Sequence, residues 1–305
     1  MSFEVKDFNC PSTDGIHTLR GKIYIPNGEI KALFHIVHGM TEHIGRYDRL
    51  MSHLAENGVL AFGYDNLGHG KTANSDSELG FIAEKDGWKF LRDDVNAYDT
   101  AIKEQYPNIP LILMGHSMGS FIIRLAAEKY PENYSKVIIC GTGYKNPLAA
   151  AGLLITSLIG KLKGKRHVSK TVHKMAFGSY NKKFVVNTGY EWLTKDISVI
   201  AKYAADKYCT FKFSVSAMHD LIKLCDMANK NAWFKNFPKQ LPVLLISGED
   251  DPVGDYGKGI TKINSKLTNN KADVKCKLYS NCRHEILNDS CREEVLYDIL
   301  NFVKE

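Results

Sequence analysis

The sequence has no long hydrophobic run, no paired-cysteine motif and no large excess of charge of one sign. No segment approaches the roughly 20 consecutive apolar residues that a membrane-spanning helix requires. The seven cysteines are scattered without a Cys-x-x-Cys pair, so their spacing predicts neither a structural metal nor a redox site. The formal net charge is +6, and the basic residues lack the aromatic interleaving typical of nucleic-acid binding. We therefore expect neither a membrane-spanning protein nor a nucleic-acid partner.

The composition and the first eight residues are typical of a globular intracellular protein. Hydrophobic residues make up 44% and charged residues 24% of the 305 residues, which suits one large α/β domain with an insertion. Residues 1–8 carry charges where a secretory signal needs an apolar core. Scattered cysteines fit a reducing compartment. These features predict a soluble, cytoplasmic protein.

Apolar segments alternate with helical patterns along most of the chain. The segments typical of strands are 18–26, 31–38, 59–65, 110–116, 136–141, 242–248 and 275–280. The helical patterns are 47–57, 87–106, 118–130, 255–267 and 291–303. Several strand segments are almost continuously hydrophobic, as expected for parallel strands that are covered on both faces. The alternation predicts an α/β fold with a doubly wound sheet.

The alternation stops between about residues 146 and 237, where a long and mostly helical stretch separates two predicted strands. We predict a core of residues 1–145 and 238–305 and an inserted lid of residues 146–237, called the insertion below. No Gly/Ser-rich or Pro-rich linker flanks it, so we expect it to pack on the core. Residues 148–159 are apolar on nearly all sides, which suits either the lining of an acyl pocket or burial against the core. The Lys-rich residues 161–170 suit either a solvated loop or contact with anionic lipid headgroups.

Residues 111–120 lead an apolar strand into Gly-His-Ser-Met-Gly and then into a helical pattern. Such a turn presents a serine on a strained strand-to-helix connection, where glycines at 115 and 119 avoid collisions with neighbouring backbone. The pattern predicts Ser117 as a nucleophile. Because a helix begins there, the Met118 N–H can donate to the negative charge that develops on an attacked carbonyl oxygen.

A serine nucleophile needs a histidine base and a carboxylate that orients the histidine. In hydrolases built on such a sheet, both follow the serine in the chain, with the acid first. The strand at 242–248 leads into three carboxylates, of which we prefer Asp251 as the acid, while Asp250 is a competitor that spacing does not separate. His284 follows the last predicted strand and is the predicted base.

A second donor to the developing oxyanion is expected from the loop after the strand at 31–38. The Met40 N–H fits this role. His38, His43 and His69 are predicted at the same rim, but their spacing matches no zinc motif, so we predict roles in tight loops and no metal site. Acyl transfer through a serine also needs no cofactor.

Five motifs together resemble those of the α/β-hydrolase superfamily. They are His-Gly-Met-Thr-Glu-His from His38, Asp-Asn-Leu-Gly-His-Gly from Asp65, the serine turn, Gly248 to Pro252, and Arg283-His284. More narrowly, the chain is similar to the monoacylglycerol lipase and lysophospholipase branch, which is grouped with serine aminopeptidase-like hydrolases. The resemblance implies an α/β-hydrolase fold with a mostly parallel eight-stranded sheet, Asp251 as the acid, and Met40 and Met118 as oxyanion donors. One departure is Asn66-Leu67, where many relatives carry other residues.

The principal functional hypothesis is a serine hydrolase that cleaves carboxylic esters, with monoacylglycerol-like or lysophospholipid-like substrates and transient contact with a membrane surface through the insertion. One alternative is a serine peptidase that removes N-terminal residues, which an acidic pocket would favour. The acidic residues of the insertion are Glu191, Asp196 and Asp206. Another alternative is a non-catalytic binding protein of the same fold, against which a complete Ser, Asp and His set argues. The sequence gives no prediction of the oligomeric state.

Overall fold

A mostly parallel sheet organises the part of the chain that the structure describes, residues 3–305. The computed structural model places eight strands of these residues in one sheet, in the order β1-β2-β4-β3-β5-β6-β7-β8. Residues 1 and 2, with which the predicted core begins, lie outside the described residues. The strands are β1 (Phe3–Pro11), β2 (Thr18–Pro26), β3 (Ala32–Val37), β4 (Val59–Tyr64), β5 (Leu111–His116), β6 (Lys136–Cys140), β7 (Val243–Gly248) and β8 (Val274–Tyr279).

The predicted strands are confirmed to within one residue at each end. Strands β3, β4, β5 and β7 are buried along their whole length, as expected for parallel strands covered on both faces. Strand β1 was not predicted. It pairs antiparallel with β2 at the sheet edge and leaves most of its residues exposed, so its sequence is polar and carries no hydrophobic run.

Ten α-helices lie within residues 3–305 and cover both faces of the sheet. They are α1 (Asp48–Glu56), α2 (Gly87–Gln105), α3 (Met118–Lys129), α4 (Ala149–Lys163), α5 (Lys170–Phe177), α6 (Ile197–Ala205), α7 (Val215–Ala228), α8 (Asn231–Asn236), α9 (Lys258–Asn269) and α10 (Arg292–Lys304). The predicted start of α9 at residue 255 was wrong, because Asp255, Tyr256 and Gly257 have positive φ angles that an α-helix does not accept.

The two faces of the sheet have separate hydrophobic clusters. Consecutive strand residues point to opposite faces, so Leu113 of β5 joins one cluster and Met114 the other. The Leu113 cluster includes residues of α2, α3 and α9, whereas the Met114 cluster includes residues of α1 and α10. The carboxyl ends of the parallel strands are left as an edge from which the functional loops extend.

Helix α7, within residues 146–237, packs on the helices that flank the sheet. Met218 and Leu224 of α7 belong to the same buried cluster as Ile122 of α3. Helix α4 packs on α7, and Gly152 faces Ile222 there. Within residues 3–305, no helix is both long and apolar enough to cross a bilayer.

The expectation that residues 148–159 are buried or line a pocket is correct for one side of α4 and wrong for the other. Leu154 and Leu158 of α4 are 71% and 55% exposed, and Leu162 one turn later is 75% exposed. The other side of the helix is covered, where Thr156 and Gly160 are buried and Ile155 and Ile159 pack on the core cluster. The contact with α7 therefore leaves the leucines on the outer face of the insertion.

Burial of the β5 side chains predicts a large difference between two identical substitutions. Leu113→Ala should lower the free energy of unfolding by about 2–5 kcal/mol, because it leaves a cavity in a fully buried cluster. Leu162→Ala should change it by less than about 0.5 kcal/mol, since this side chain is exposed. Urea denaturation followed by tryptophan fluorescence measures both values. Equal losses in the two variants would contradict the described packing.

Candidate active site

Ser117 stands at the turn between β5 and α3, in a strained backbone conformation. Its φ of 52° and ψ of −119° place it outside the regions that non-glycine residues ordinarily adopt. A Cβ at position 115 would collide with the carbonyl oxygen of Gly119, and one at position 119 with that of Val37. Both glycines of the motif are therefore required by close backbone contacts, and the turn directs Ser117 into a cavity at the sheet edge.

Asp251 and His284 are hydrogen-bonded at this edge. His284 Nδ1 lies 3.0 Å from Asp251 Oδ2, and both side chains are buried. The Ser247 hydroxyl donates to the same carboxylate at 3.1 Å, and the Val253 N–H donates to its Oδ1 at 2.8 Å. Asp250, the competitor, is half-exposed and lies 3.4 Å from Lys195 Nζ. The geometry therefore favours Asp251 as the group that orients the imidazole.

The loop that carries His284 is held from two sides. A disulfide between Cys282 and Cys291 closes it, a pairing that the cysteine spacing did not indicate. The insertion supplies backbone acceptors, because the His284 N–H donates to the Trp192 carbonyl at 3.4 Å and the Glu285 N–H donates to the Leu193 carbonyl at 2.7 Å. The Trp192 ring also lies 5.0 Å from the imidazole. The insertion thus contributes directly to the position of the predicted base.

The loop of residues 38–43, called the oxyanion loop below, brings Met40 to the same cavity as Ser117. The Gly39 N–H donates to Glu42 Oε1 at 2.5 Å, which folds the loop back on itself. Met118 is the first residue of α3, so its N–H belongs to the helix-terminal amides that lack an intrahelical acceptor. Both predicted oxyanion donors therefore lie at the cavity lining beside Ser117.

Glu42 and His116 form a buried pair that the sequence analysis missed. Glu42 Oε1 accepts from the Tyr47 hydroxyl at 3.0 Å and lies 3.2 Å from His116 Nδ1, while His116 Nε2 lies 3.2 Å from the His284 carbonyl oxygen. Burial alone would raise the pKa of Glu42, but the hydrogen bond and charge of His116 and the charge of Arg46 hold it well below its ordinary value. The pair connects the oxyanion loop to the His284 loop. No local motif signals a contact between residues so distant in the chain.

His38 and His69 have the loop roles that were predicted. The Asn66 N–H donates to His38 Nε2 at 2.9 Å, and the Thr41 N–H donates to His69 Nε2 at 3.3 Å. Burial lowers the pKa of His38 to about 4 and that of His69 to about 3. Both rings are therefore neutral near pH 7 and act as hydrogen-bond acceptors that fasten the oxyanion loop.

The cavity beside Ser117 has a volume of about 550 Å³ and an apolar side formed largely by the insertion. Ser117, Met40, Met118 and His284 lie at its lining. The apolar side chains that the insertion contributes include Phe177, Tyr180, Phe211, Met218, Leu221 and Ile222. They come from α5, α7 and the connecting loops, whereas α4 contributes Ala149. The space is suited to an apolar chain that ends at the serine.

The three acidic residues considered for an amine site are engaged elsewhere. Glu191 accepts backbone N–H groups of residues 187–189, and Asp196 caps the start of α6. Asp206 Oδ2 lies 3.0 Å from His43 Nε2. Among the described residues, none of the three lines the cavity.

Two other carboxylates do line the cavity, but both are paired with one largely buried arginine. They are Glu42 and Glu285. Arg46 donates to both oxygens of Glu285 at 2.6 Å and to Glu42 at 3.2 Å. The cavity therefore offers no free carboxylate among the described residues for the amino terminus of a peptide.

Comparisons with known proteins agree with this arrangement. The family model described as "Serine aminopeptidase, S33" matches residues 28–291. A monoglyceride lipase homolog of Monkeypox virus is 27% identical over 279 residues, which span 90% of this chain and 89% of the relative. Monoglyceride lipase of Mus musculus is 38% identical over 131 residues, 43% of this chain and 41% of the relative. The crystal structure of a thermostable carboxyl esterase from Bacillus coagulans, in complex with glycerol, superposes with a TM-score of 0.93 at 27% identity and covers 99% of both chains.

The sheet, its flanking helices and the serine turn define an α/β-hydrolase. The chain belongs to the serine aminopeptidase S33 family, whose model matches most of its length. The predicted fold class and the predicted class of enzyme, a serine ester hydrolase, are thereby confirmed. The roles of the individual side chains and the identity of the substrate stay predictions.

The different surroundings of the two neighbouring aspartates predict different effects of the same substitution. Asp251→Asn should lower kcat for a short-chain ester by about 10⁴-fold, because the imidazole loses the carboxylate that fixes its tautomer. Asp250→Asn should change kcat by less than about threefold, since it loses a half-exposed ion pair worth about 0–1 kcal/mol. Steady-state kinetics on the two purified variants measure both values. Similar losses in both, or a larger loss in Asp250→Asn, would contradict the assignment.

Proposed function

We propose that the protein hydrolyses esters with a long acyl chain, as in monoacylglycerols and lysophospholipids, through Ser117, Asp251 and His284. The observation that carries this proposal is the cavity of about 550 Å³, in which Ser117 and His284 meet the apolar side chains of the insertion. Such a volume is in the ordinary range of about 300–1,000 Å³ for small-molecule sites. The monoglyceride lipases among the relatives support the same substrate class.

The reaction is acyl transfer in two steps. Ser117 Oγ attacks the ester carbonyl carbon, and His284 takes the hydroxyl proton and returns it to the leaving alcohol. Asp251 stabilises the imidazolium through its contact with Nδ1. The N–H groups of Met40 and Met118 donate to the oxyanion, a contribution of about 10²–10³ in turnover per donor. Water activated by His284 then hydrolyses the acyl-enzyme.

The insertion, residues 146–237, acts as a cap on a core of residues 1–145 and 238–305. It lines the apolar side of the cavity and bonds to the backbone of the His284 loop. An acyl chain bound between cap and core is removed from water at about 0.8 kcal/mol for each buried CH₂ group. The cap therefore sets which acyl lengths are cleaved fastest.

The outer face of α4 serves as a transient contact with lipid surfaces. Leu154, Leu158 and Leu162 recur every four residues, so they form one exposed apolar stripe. Basic side chains follow at the end of the helix and beyond it, at Lys161, Lys163, Lys165, Arg166 and Lys170. An apolar stripe beside basic residues favours the interface of a membrane with anionic lipids. The cytoplasmic location stays a prediction.

The proposal predicts that turnover rises with acyl length and depends on Ser117. Initial rates should increase from short-chain to long-chain monoacylglycerols. Comparison of the rate on lysophosphatidylcholine with the rates on monoacylglycerols shows which of the two headgroups is preferred. Ser117→Ala should lower kcat by at least about 10⁴-fold on every substrate, because the nucleophile is lost. Rates restricted to short esters would remove the long-chain substrate from the proposal. Activity retained by Ser117→Ala would contradict the mechanism.

The stripe on α4 predicts a loss of membrane binding in a charged variant. The triple substitution Leu154→Lys, Leu158→Lys, Leu162→Lys should weaken sedimentation with vesicles of phosphatidylcholine alone by more than about tenfold, because burial of one leucine contributes about 1.5–3 kcal/mol and a lipid without net charge does not attract the added lysines. Turnover of a short soluble ester should be unchanged.

The matched control for this variant is Tyr297→Lys. Tyr297 lies on α10 of the core, and its side chain is 64% exposed. Vesicle binding reduced equally by both changes, or by neither, would contradict a contact through α4.

A further inference from the structure

His43, Asp206 and Cys209 bring three metal-ligating side chains together outside the catalytic residues. One ligand atom from each, an imidazole nitrogen, a carboxylate oxygen and the sulfur, lies within 4.8 Å of the other two. His43 Nε2 and Asp206 Oδ2 are 3.0 Å apart. The cluster joins the two parts of the chain, because His43 belongs to the oxyanion loop whereas Asp206 and Cys209 belong to the insertion.

The local backbone holds the two ligands of the insertion in one short turn. Asp206 follows the last residue of α6, and the Cys209 N–H donates to the Asp206 carbonyl oxygen at 3.0 Å. The Tyr208 N–H donates to Asp206 Oδ1 at 2.8 Å, which fixes the carboxylate and leaves Oδ2 directed at His43. A carboxylate held in this way by a neighbouring donor is typical of metal ligands.

The set of donors suits zinc. Zn²⁺ binds imidazole nitrogen, carboxylate oxygen and thiolate sulfur at about 2.0–2.3 Å, commonly with three protein ligands and a fourth position open to water. Tetrahedral ligation would place the three ligand atoms about 3.3–3.6 Å from one another, whereas they now lie within 4.8 Å. Cys209 is 2% exposed to solvent and is also one of the residues that line the cavity beside Ser117, so the cluster adjoins the cavity.

The charges around the cluster are compatible with a divalent cation. The charge of Arg46 acts on both Asp206 and Cys209, and Arg46 lies over the Tyr203 ring and is paired with Glu285 at 2.6 Å and with Glu42 at 3.2 Å. Two carboxylates thus outweigh its single positive charge. Coordination replaces the thiol proton of Cys209, which is released to solvent.

We propose that His43, Asp206 and Cys209 bind a zinc-type divalent cation that joins the insertion to the oxyanion loop and inhibits turnover. The junction is already in contact, since the Tyr203 hydroxyl donates to the Thr41 carbonyl oxygen at 2.8 Å. A bound ion would fix the oxyanion loop and pull Cys209 away from its place in the cavity lining. The site is regulatory and supplies no group to the ester reaction, so it goes beyond the function proposed above.

The test measures metal binding separately from catalysis. Titration of the metal-free protein with Co²⁺ should give one equivalent of a thiolate-to-cobalt charge-transfer absorption, which Zn²⁺ then displaces. Cys209→Ser should abolish the band, and His43→Gln should weaken Co²⁺ binding by at least about tenfold, as loss of a ligand costs no less than loss of its supporting partner. Cys276→Ser is the matched control, because Cys276 is an exposed thiol outside the cluster, and it should keep the band.

Inhibition is then measured on a short soluble ester, for which Zn²⁺ should lower the rate of the wild type and of Cys276→Ser but not of Cys209→Ser. Circular dichroism establishes whether each variant is folded. If Cys209→Ser does not fold, His43→Gln replaces it in the inhibition experiment. Absence of the charge-transfer band in the wild type, or its persistence in Cys209→Ser, would overturn the site. Equal Zn²⁺ inhibition of wild type and Cys209→Ser would overturn the regulatory role. None of the binding results depends on which ester the protein hydrolyses.

Discussion

The close contact between the start of α3 and the end of β3 is the constraint on which the site depends. A Cβ at Gly119 would collide with the carbonyl oxygens of Val37 and His38. Strands β3 and β5 pair in parallel with Val37 opposite Gly115, so the helix begins beside the first residues of the oxyanion loop. This contact accompanies the placement of Met40 and Met118, the predicted oxyanion donors, in the lining of the same cavity as Ser117. A side chain at position 119 would separate them.

A second contact of the same kind aligns the acid and the base. Gly248 at the end of β7 lies so close to the carbonyl oxygens of Cys282 and Arg283 that a Cβ there would collide with both. The Asp250 N–H also donates to the Cys282 carbonyl at 2.9 Å. Backbone packing therefore positions the Asp251 loop against the His284 loop before any side chain contributes. Two glycine contacts, each at the carboxyl end of a strand, determine the spacing of the whole site.

The sequence predicted those parts of the molecule that local chemistry determines. Buried parallel strands need apolar runs, and the serine turn needs its two glycines, so both are visible in the residues themselves. Asp250 and Asp251 could not be separated in this way, because adjacent carboxylates in a loop have the same composition around them. Their difference lies in tertiary partners, Ser247 for one and Lys195 for the other.

The features that the sequence analysis missed depend on contacts between residues that are distant in the chain or on neighbours that the sequence does not identify. Arg46 and Glu285 are 239 residues apart in sequence, and no motif around either residue predicts their contact. Strand β1 is recognised only by its pairing with β2, since an edge strand needs little hydrophobicity. The leucines of α4 match the pattern of a buried helix, yet α7 packs against the opposite side of α4 and leaves these leucines exposed. Which face of an apolar helix is covered depends on the neighbour and not on the helix.

The backbone bonds from Trp192 and Leu193 to the His284 loop affect how this scaffold can be modified. Transplanting the cap of a relative would replace these carbonyl acceptors together with the apolar cavity lining. A chimera made to alter acyl preference would therefore also disturb the imidazole, unless residues 190–194 are kept from the parent. One segment of the insertion thus supports both the lining of the cavity and the backbone position of the predicted base.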